Sequence, residues 1–318
     1  MSNMSGNDKM AVLISTMNRP DSLRRTLGIF FQGEVIPDEL IVVDQSEKAN
    51  DRNENRKITE IYASFAKVKY IYQSLPSLTK ARNKALKECN CEMIIFSDDD
   101  VDVNKNTLKN ILSIMGDQSI SMIAGVNEYA AVSNSKLGYL LGTKSFKNRH
   151  IGYVTKSVLG RFPDILTYEV PTQWAMGFFF VVRKSLLDKW KIKWDEKMTG
   201  YAYAEDLDFS NTYYKKSVQE GFRCIMSNNV VVKHLGSKEY RIPSRKHIFM
   251  YIINRAYLCY KHKMGGYSEL CMHWCNFWMK TRAFVKKENY SNYRDAIKKE
   301  KKVRKFLRKG MLEDSFYN

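Results

Sequence analysis

Several common protein classes are set aside by what this chain lacks. No apolar run approaches the roughly 18 residues of a bilayer-spanning helix, and residues 1–9 are polar, without the apolar stretch of a signal peptide. Together these absences lead us to expect a cytoplasmic protein. No G-x-G-x-x-G follows the first apolar run and no G-x-x-x-x-G-K-[ST] occurs anywhere, which sets aside dinucleotide-dependent dehydrogenases and P-loop enzymes. The 6 cysteines in 318 residues fit reduced thiols better than a disulfide framework, because a chain this long can build a core without covalent staples. Cys271, His273 and Cys275 lack the second cysteine pair that a zinc site at such spacing would use. We find no internal repeat.

What is present is apolar enough for a packed interior: 44% of the residues are hydrophobic, which excludes general disorder. Lysine and arginine exceed the acids by 18, and the excess is unevenly spread. From Lys233 to the end there are 21 basic and 7 acidic residues, so 14 of the 18 net charges (21 less 7) lie in the last quarter. An anionic partner such as a nucleotide, anionic lipid or nucleic acid is implied, and the charge places it at the C-terminal region.

Along the chain, short apolar runs alternate with amphipathic stretches. Residues 10–15 (MAVLIS) read as a strand, 16–20 as a polar turn and 21–31 as a helix; 40–43 is a second strand ending at Asp44, with a helix near 56–65. A strand at 68–72, a helix at 78–88 and a strand at 93–96 continue the series. This alternation predicts an α/β fold with a mostly parallel central sheet and helices on both faces, and such sheets bind ligands beyond the carboxyl ends of their strands. Thr16, Asn18, Arg19, Asp44, Asp98, Asp99 and Asp100 all fall at those ends. Beyond Gly125 the pattern loosens up to Pro171, which reads as a mobile region or lid. Residues 178–182 read as a strand, 207–219 as a helix and 230–232 as a last strand running to His234; after Pro243 the chain is helical, aromatic first and then basic over 298–309.

Three consecutive carboxylates at the end of an apolar strand repel one another unless they are solvated or a cation lies among them. Strand alternation turns Asp98 and Asp100 the same way, a pair suited to Mg²⁺ or Mn²⁺ together with phosphate oxygens. Glu205 and Asp206 open a predicted helix, where the dipole favours negative charge and would hold Asp206 ionised. In the tail, Val303, Phe306 and Leu307 lie at helical spacing among lysines and arginines, a pattern that could rest on an anionic membrane surface.

In order along the chain, ISTMNRP (14–20), IVVDQS (41–46), LTKARNKAL (78–86), FSDDDV (96–101), WAMGFFFVVR (174–183), WDE (194–196), AEDLDF (204–209) and VKHLG (232–236) resemble a family-two glycosyltransferase of the GT-A fold. The resemblance covers about residues 10–260. It implies that residues 10–125 form the nucleotide-sugar-binding half, 126–236 the acceptor-binding and catalytic half, and 237–318 a helical, basic C-terminal extension. By the same resemblance Thr16 and Asp44 face the base or ribose and Arg82 the base or diphosphate; Asn18 and Arg19 at the first strand end, and Asp98 and Asp99 at the fourth, are also expected at the donor. Asp98, Asp100 and His234 would be metal ligands. Asp206 would be the general base, with Glu205 beside it supporting the loop or holding the acceptor, and Trp174 would touch the acceptor.

The resemblance implies an inverting, metal-dependent transfer of a sugar from a nucleotide diphosphate sugar, of uridine type, to a hydroxyl of a glycan or lipid-linked acceptor in bacterial-type surface polysaccharide synthesis. Two other readings stand beside it. A nucleotidyltransferase could use a similar sheet and metal but leaves Glu205 and Asp206 without a role. A non-enzymatic basic nucleic-acid-binding protein would explain the charge but not the acidic strand ends, so no nucleic-acid partner is expected.

Overall fold

The computed structural model describes residues 9–128, 136–144, 151–163, 166, 168–236 and 243–318. Its first half is built by regular alternation: β1 (Met10–Thr16), α1 (Pro20–Phe30), β2 (Glu39–Asp44), α2 (Ala49–Glu60), β3 (Lys67–Tyr72), α3 (Leu78–Glu88) and β4 (Met93–Ser97). α1 begins on Pro20, whose missing N–H costs nothing in a first turn, and buries Leu23, Leu27 and Phe30 along one face. Then come β5 (Val101–Val103), α4 (Thr107–Met115), β6 (Ile120–Asn127), α5 (Lys136–Leu140), β7 (Tyr153–Val154), β8 (Gly160–Arg161), β9 (Val170–Pro171) and β10 (Phe179–Arg183). The chain closes with α6 (Lys184–Trp190), α7 (Glu205–Gln219), β11 (Arg223–His234), α8 (Ser244–Lys261), α9 (Gly266–Val285) and α10 (Tyr290–Arg308), before a 3₁₀ turn at Asp314–Tyr317.

Nine strands form one sheet in the order β3-β2-β1-β4-β10-β6-β11-β5, with β9 alongside β11. The β3-β2-β1-β4 half is wholly parallel. β10 enters antiparallel to both β4 and β6, so the sheet as a whole is mixed. Alternation along each strand creates two interiors. Val12, Ile14, Leu40 and Val42 pack with α1 and α4 on one face, while Ala11, Leu13, Ile41 and Val43 pack with α3 and α7 on the other. A third apolar cluster joins α8, α10 and the closing 3₁₀ turn to Met198, Ala202 and Leu207.

Three sequence expectations are revised here. The second helix starts at Ala49 instead of near Arg56 and ends in a 3₁₀ turn, Ile61–Ser64. Its buried face carries Asn55 and Thr59 beside Ile58, so apolar spacing could not mark its start. Val303 and Leu307 of α10 are buried against the third cluster and only Phe306 is exposed, so this helix has no apolar face to lay on a membrane. Within the looser region after Gly125, the described residues form α5, a small β7–β8 hairpin and β9; the rest of that expected lid lies outside the described residues, as does the beginning of the extension at 237–242.

Candidate active site

The parallel strands end on polar residues at one rim, and the chain's acidic groups gather there. Asp99 is almost fully buried at the tip of β4. It accepts hydrogen bonds from Thr16 Oγ1 at 2.6 Å and Arg19 Nη1 at 3.1 Å. Burial pushes its pKa up to about 7, against the pull of the Arg19 charge and the Thr16 hydroxyl. Asp99 therefore ties the first strand end to the fourth. Asp98 and Asp100 lie past the end of β4, where the chain has left the strand for a turn and alternation no longer applies, and both meet His234.

His234 arrives by a bend in β11. Register shifts between Met226 and Val231 redirect the strand so that Val232–His234 runs beside β5, with His234 opposite Val101. The imidazole stacks on Phe178 at 5.1 Å, and Nε2 lies 3.2 Å from Asp100 and 3.8 Å from Asp98. Burial disfavours the imidazolium, but the Asp100 hydrogen bond and the two carboxylate charges outweigh it and raise the His234 pKa. One ligand atom from each of Asp98, Asp100 and His234 lies within 4.8 Å of the others. Two hard oxygens and one nitrogen on so small a triangle fit a divalent cation, and the imidazole suits Mn²⁺ better than Mg²⁺.

A second acidic group opens α7. Ala202 and Ala204, in the turn before it, both adopt left-handed backbone with φ of 54° and 68°, a strained conformation for alanine that delivers Glu205 and Asp206 into the rim. The helix is held from behind by Phe209, which stacks on Trp194 at 4.2 Å and meets Phe96 edge-on. Both Asp206 oxygens accept backbone N–H bonds, Oδ2 from Gly177 at 2.9 Å and Oδ1 from Leu207 at 2.7 Å. The sequence argument expected the helix dipole to lower the Asp206 pKa; burial instead raises it, and the two N–H groups only moderate the rise.

Arg82 of α3 joins the two groups. Its guanidinium donates to Glu205 at 2.9 Å, Asp98 at 3.1 Å and the Gly177 carbonyl at 2.9 Å, and lies over the Trp194 ring at 4.4 Å. The structure thus turns Arg82 toward carboxylates. Asp208, two residues beyond Asp206, points away to α8, where Lys261 and His262 hold it at 2.7 and 2.8 Å.

A cavity of about 790 Å³ spans the rim, lined by Thr16, Arg19, Arg82, Asp98, Asp99, Trp174, Glu205, Asp206 and His234 among others. Trp174 forms part of its wall, stacked on Phe162 at 4.3 Å. Asp44 and Asn18 stand behind it. The buried Asp44 carboxylate receives Ser46 N–H, Asn55 and the Tyr70 hydroxyl, and Asn18, left-handed at φ 56°, pins the first rim loop to Ser46 and Glu47. The sequence reading missed Gln45, Ser77, Tyr201, Tyr203 and Lys246, which also line the cavity. For Gln45 a signal existed, since it directly follows a strand end; its side chain ties Ser77 N–H to the rim at 2.6 Å.

Burial, joined by the charge of Asp206, raises the Glu205 pKa from its ordinary 4.5 to about 8, against the pull of Arg82. The folded protein therefore keeps a proton that the unfolded chain releases above about 4.5. Stability falls as pH rises through that window, and the full penalty is present above about 8. Glu205→Gln is expected to flatten this slope and to narrow or reverse any stability deficit at the alkaline end. Urea unfolding of both proteins across the window is the check, and parallel slopes would refute it.

Residues 11–191 match the family described as glycosyl transferase family 2. A search of curated proteins found no match. Among solved structures, the chain is similar to the mannosyltransferase PcManGT from Pyrobaculum calidifontis in complex with GDP-Man and Mn²⁺, with 14% identity, a TM-score of 0.56, and 91% of this chain and 73% of that one covered. It is similar also to S. aureus TarS 1-349 in complex with UDP-GlcNAc, at 16% identity, TM-score 0.56 and coverage of 91% and 79%. GalNAc-T7 with UDP, GalNAc and Mn²⁺ aligns at 15% identity and TM-score 0.55, over 84% of this chain and 53% of that one. At such identities the likeness is one of fold, and the fold shared is that of GT-A glycosyltransferases.

Proposed function

The chain belongs to glycosyl transferase family 2, and from that premise we propose that it moves a sugar from a nucleotide diphosphate sugar to an acceptor hydroxyl with inversion at the anomeric carbon. The observation that carries this reading is a single cavity lined both by Asp98 and His234 of the cation-fitting triangle and by Glu205 and Asp206 at a helix start. A nucleotidyltransferase would leave that helix start without a task.

In this reading residues 10–125 bind the donor and 126–236 bind the acceptor. The nucleoside, of uridine type, lies by Thr16, Arg19 and Gln45, with Asp44 and Asn18 shaping the rim loops from behind. A divalent cation held by Asp98, Asp100 and His234 would neutralise the diphosphate as its charge grows. Arg19, bonded to Asp99 and 3.7 Å from Asp100, adds positive charge at the same rim. Asp206 takes the proton of the acceptor hydroxyl as that oxygen bonds to the anomeric carbon and the bond to the phosphate oxygen breaks. Glu205 and Arg82 fix the geometry beside it, and Trp174 and Tyr201 offer flat faces to the acceptor sugar. The acceptor is a glycan or lipid-linked molecule, and the protein works at the inner face of a membrane in building a bacterial-type surface glycan.

The direct test is donor hydrolysis and transfer with Mn²⁺, both abolished by a chelator. Asp100→Ala and His234→Ala are each expected to weaken Mn²⁺ binding at least tenfold while the fold stays intact, because each removes one of the three candidate ligands found among the described residues. Calorimetric titration with Mn²⁺ alone reads this out. Unchanged affinity in both variants would remove them from the metal site.

A further inference from the structure

Among the described residues no helix is long and apolar enough to cross a membrane, yet α9 carries an uncovered aromatic face. Tyr267, Leu270, Trp274, Phe277, Phe284 and Val285 are all exposed, Leu270 by 65% and Phe284 by 64%. At about 100° per residue they fall within one arc of the helix, while Met272, Cys275, Asn276 and Ala283 are buried on the other side. α5 extends the patch. The Trp274 indole N–H donates to the Leu140 carbonyl at 3.2 Å, and Leu137 and Leu140 are themselves 65% and 72% exposed. Single exposed apolar side chains are ordinary on protein surfaces, but a contiguous face of this composition marks a contact surface.

Charge decides what the face contacts. Residues 266–287 carry Lys280, Arg282, Lys286 and Lys287 against one acid, Glu269, and that acid is occupied by Arg308 and Tyr260. Lys280 and Arg282 fall at the two margins of the aromatic arc, with Lys280 over the Phe277 ring at 5.5 Å. An apolar strip rich in Trp, Tyr, Phe and Leu and margined by cations matches the water–lipid interface of an anionic membrane.

We propose that the outer face of α9, continued by α5, docks this protein onto an anionic membrane surface with the helix lying in the interface plane. The opposite side of the same helix reaches the cavity wall through Arg255 of α8. Asn276 accepts from Arg255 at 2.8 Å, and that buried guanidinium also holds the carbonyls of Ser157 and Val158, next to Val158–Arg161 of the cavity wall. One helix thus lies between the lipid and the wall of the proposed acceptor site. Docking itself does not depend on the transferase reading, because its test reads lipid binding and not sugar transfer.

The test is sedimentation of the full chain with vesicles of equal parts phosphatidylcholine and phosphatidylglycerol, against phosphatidylcholine alone, with tryptophan emission followed in parallel. The wild type should bind the anionic vesicles preferentially and shift its emission to the blue. Trp274→Glu with Phe277→Glu should abolish binding while circular dichroism and Mn²⁺ affinity stay unchanged, and Phe306→Glu on α10 should have little effect. Replacing Lys280, Lys286 and Lys287 by glutamine should lower the affinity for anionic vesicles by roughly fivefold per lysine. Failure of the wild type to bind, or full binding by the double glutamate variant, would overturn the proposal. So would a wild-type dimer that the double variant dissolves without any lipid binding, which would assign the face to a second copy of this chain.

Discussion

Asp206→Asn is expected to lower the turnover number by about 100- to 10,000-fold, the usual cost of losing a positioned general base, while donor and Mn²⁺ affinity remain at wild-type values. Asparagine can keep the bond from Gly177 N–H through its carbonyl oxygen at the loss of the bond from Leu207 N–H, so most of the shape survives and the basicity does not. Glu205 is a poor substitute: with its pKa at about 8 it holds its proton at neutral pH. Asp208 is bound to Lys261 and His262 and does not line the cavity. Single-turnover rates at saturating donor, with donor affinity measured separately, distinguish binding from chemistry. If Asp206→Asn retains transfer and Glu205→Gln loses it, the base moves one residue back; if both retain it, the inverting mechanism falls.

Arg82→Met should be the most destabilising single change at the site. It leaves the Asp98 carboxylate without its neighbouring cation in a partly buried space, and strips Glu205 and the Gly177 carbonyl of a donor. Removing one partner of a buried ion pair costs about 3–5 kcal/mol, which corresponds to a fall in melting temperature of roughly 4–8 °C for a chain of 318 residues. Mn²⁺ affinity should drop as well, because Asp98 becomes easier to protonate. Arg82→Lys keeps the charge but not the fork, and should recover part of the stability and less of the activity. Differential scanning calorimetry with and without Mn²⁺ is the measurement. A melting temperature within a degree or so of wild type would show that the pair contributes little.

Strand ends carried most of what the sequence disclosed. Apolar runs stopping at Thr16, Asp44 and Asp98 announced both the sheet and the rim, because a buried strand has to switch to polar residues where it meets solvent or ligand. His234 was legible locally only as the end of a last strand; its role as a ligand entered through the ordered resemblance, since its place beside Asp98 and Asp100 depends on a bend in β11 and on pairing with β5. The partners of Arg82 were illegible for a related reason. Glu205 lies 123 residues away in sequence and Gly177 lies 95 away, and the choice between a phosphate-facing and a carboxylate-facing arginine is made by packing against Trp194. Asp206 was misjudged in a different way: the dipole argument weighed the helix start and left out the burial that the surrounding chain imposes. The apolar spacing at 303–307 and the aromatic spacing at 267–285 look alike in sequence, and only the third core cluster decides that the former is covered.

Gly177 gives the molecule an unusual division of labour. Its N–H holds Asp206 and its C=O holds Arg82, and a β-carbon there would come within 3.1 Å of Asp206 and 3.2 Å of the guanidinium. The spacing between Asp206, the proposed base, and Arg82 is therefore written in main-chain atoms, which side-chain replacement at neighbouring positions leaves in place. The walls on the proposed acceptor side are written in side chains instead, at Trp174, Tyr201 and Tyr203. Under the proposed function, exchanging those aromatic panels would retool substrate preference while the spacing of Asp206 and Arg82 stays fixed.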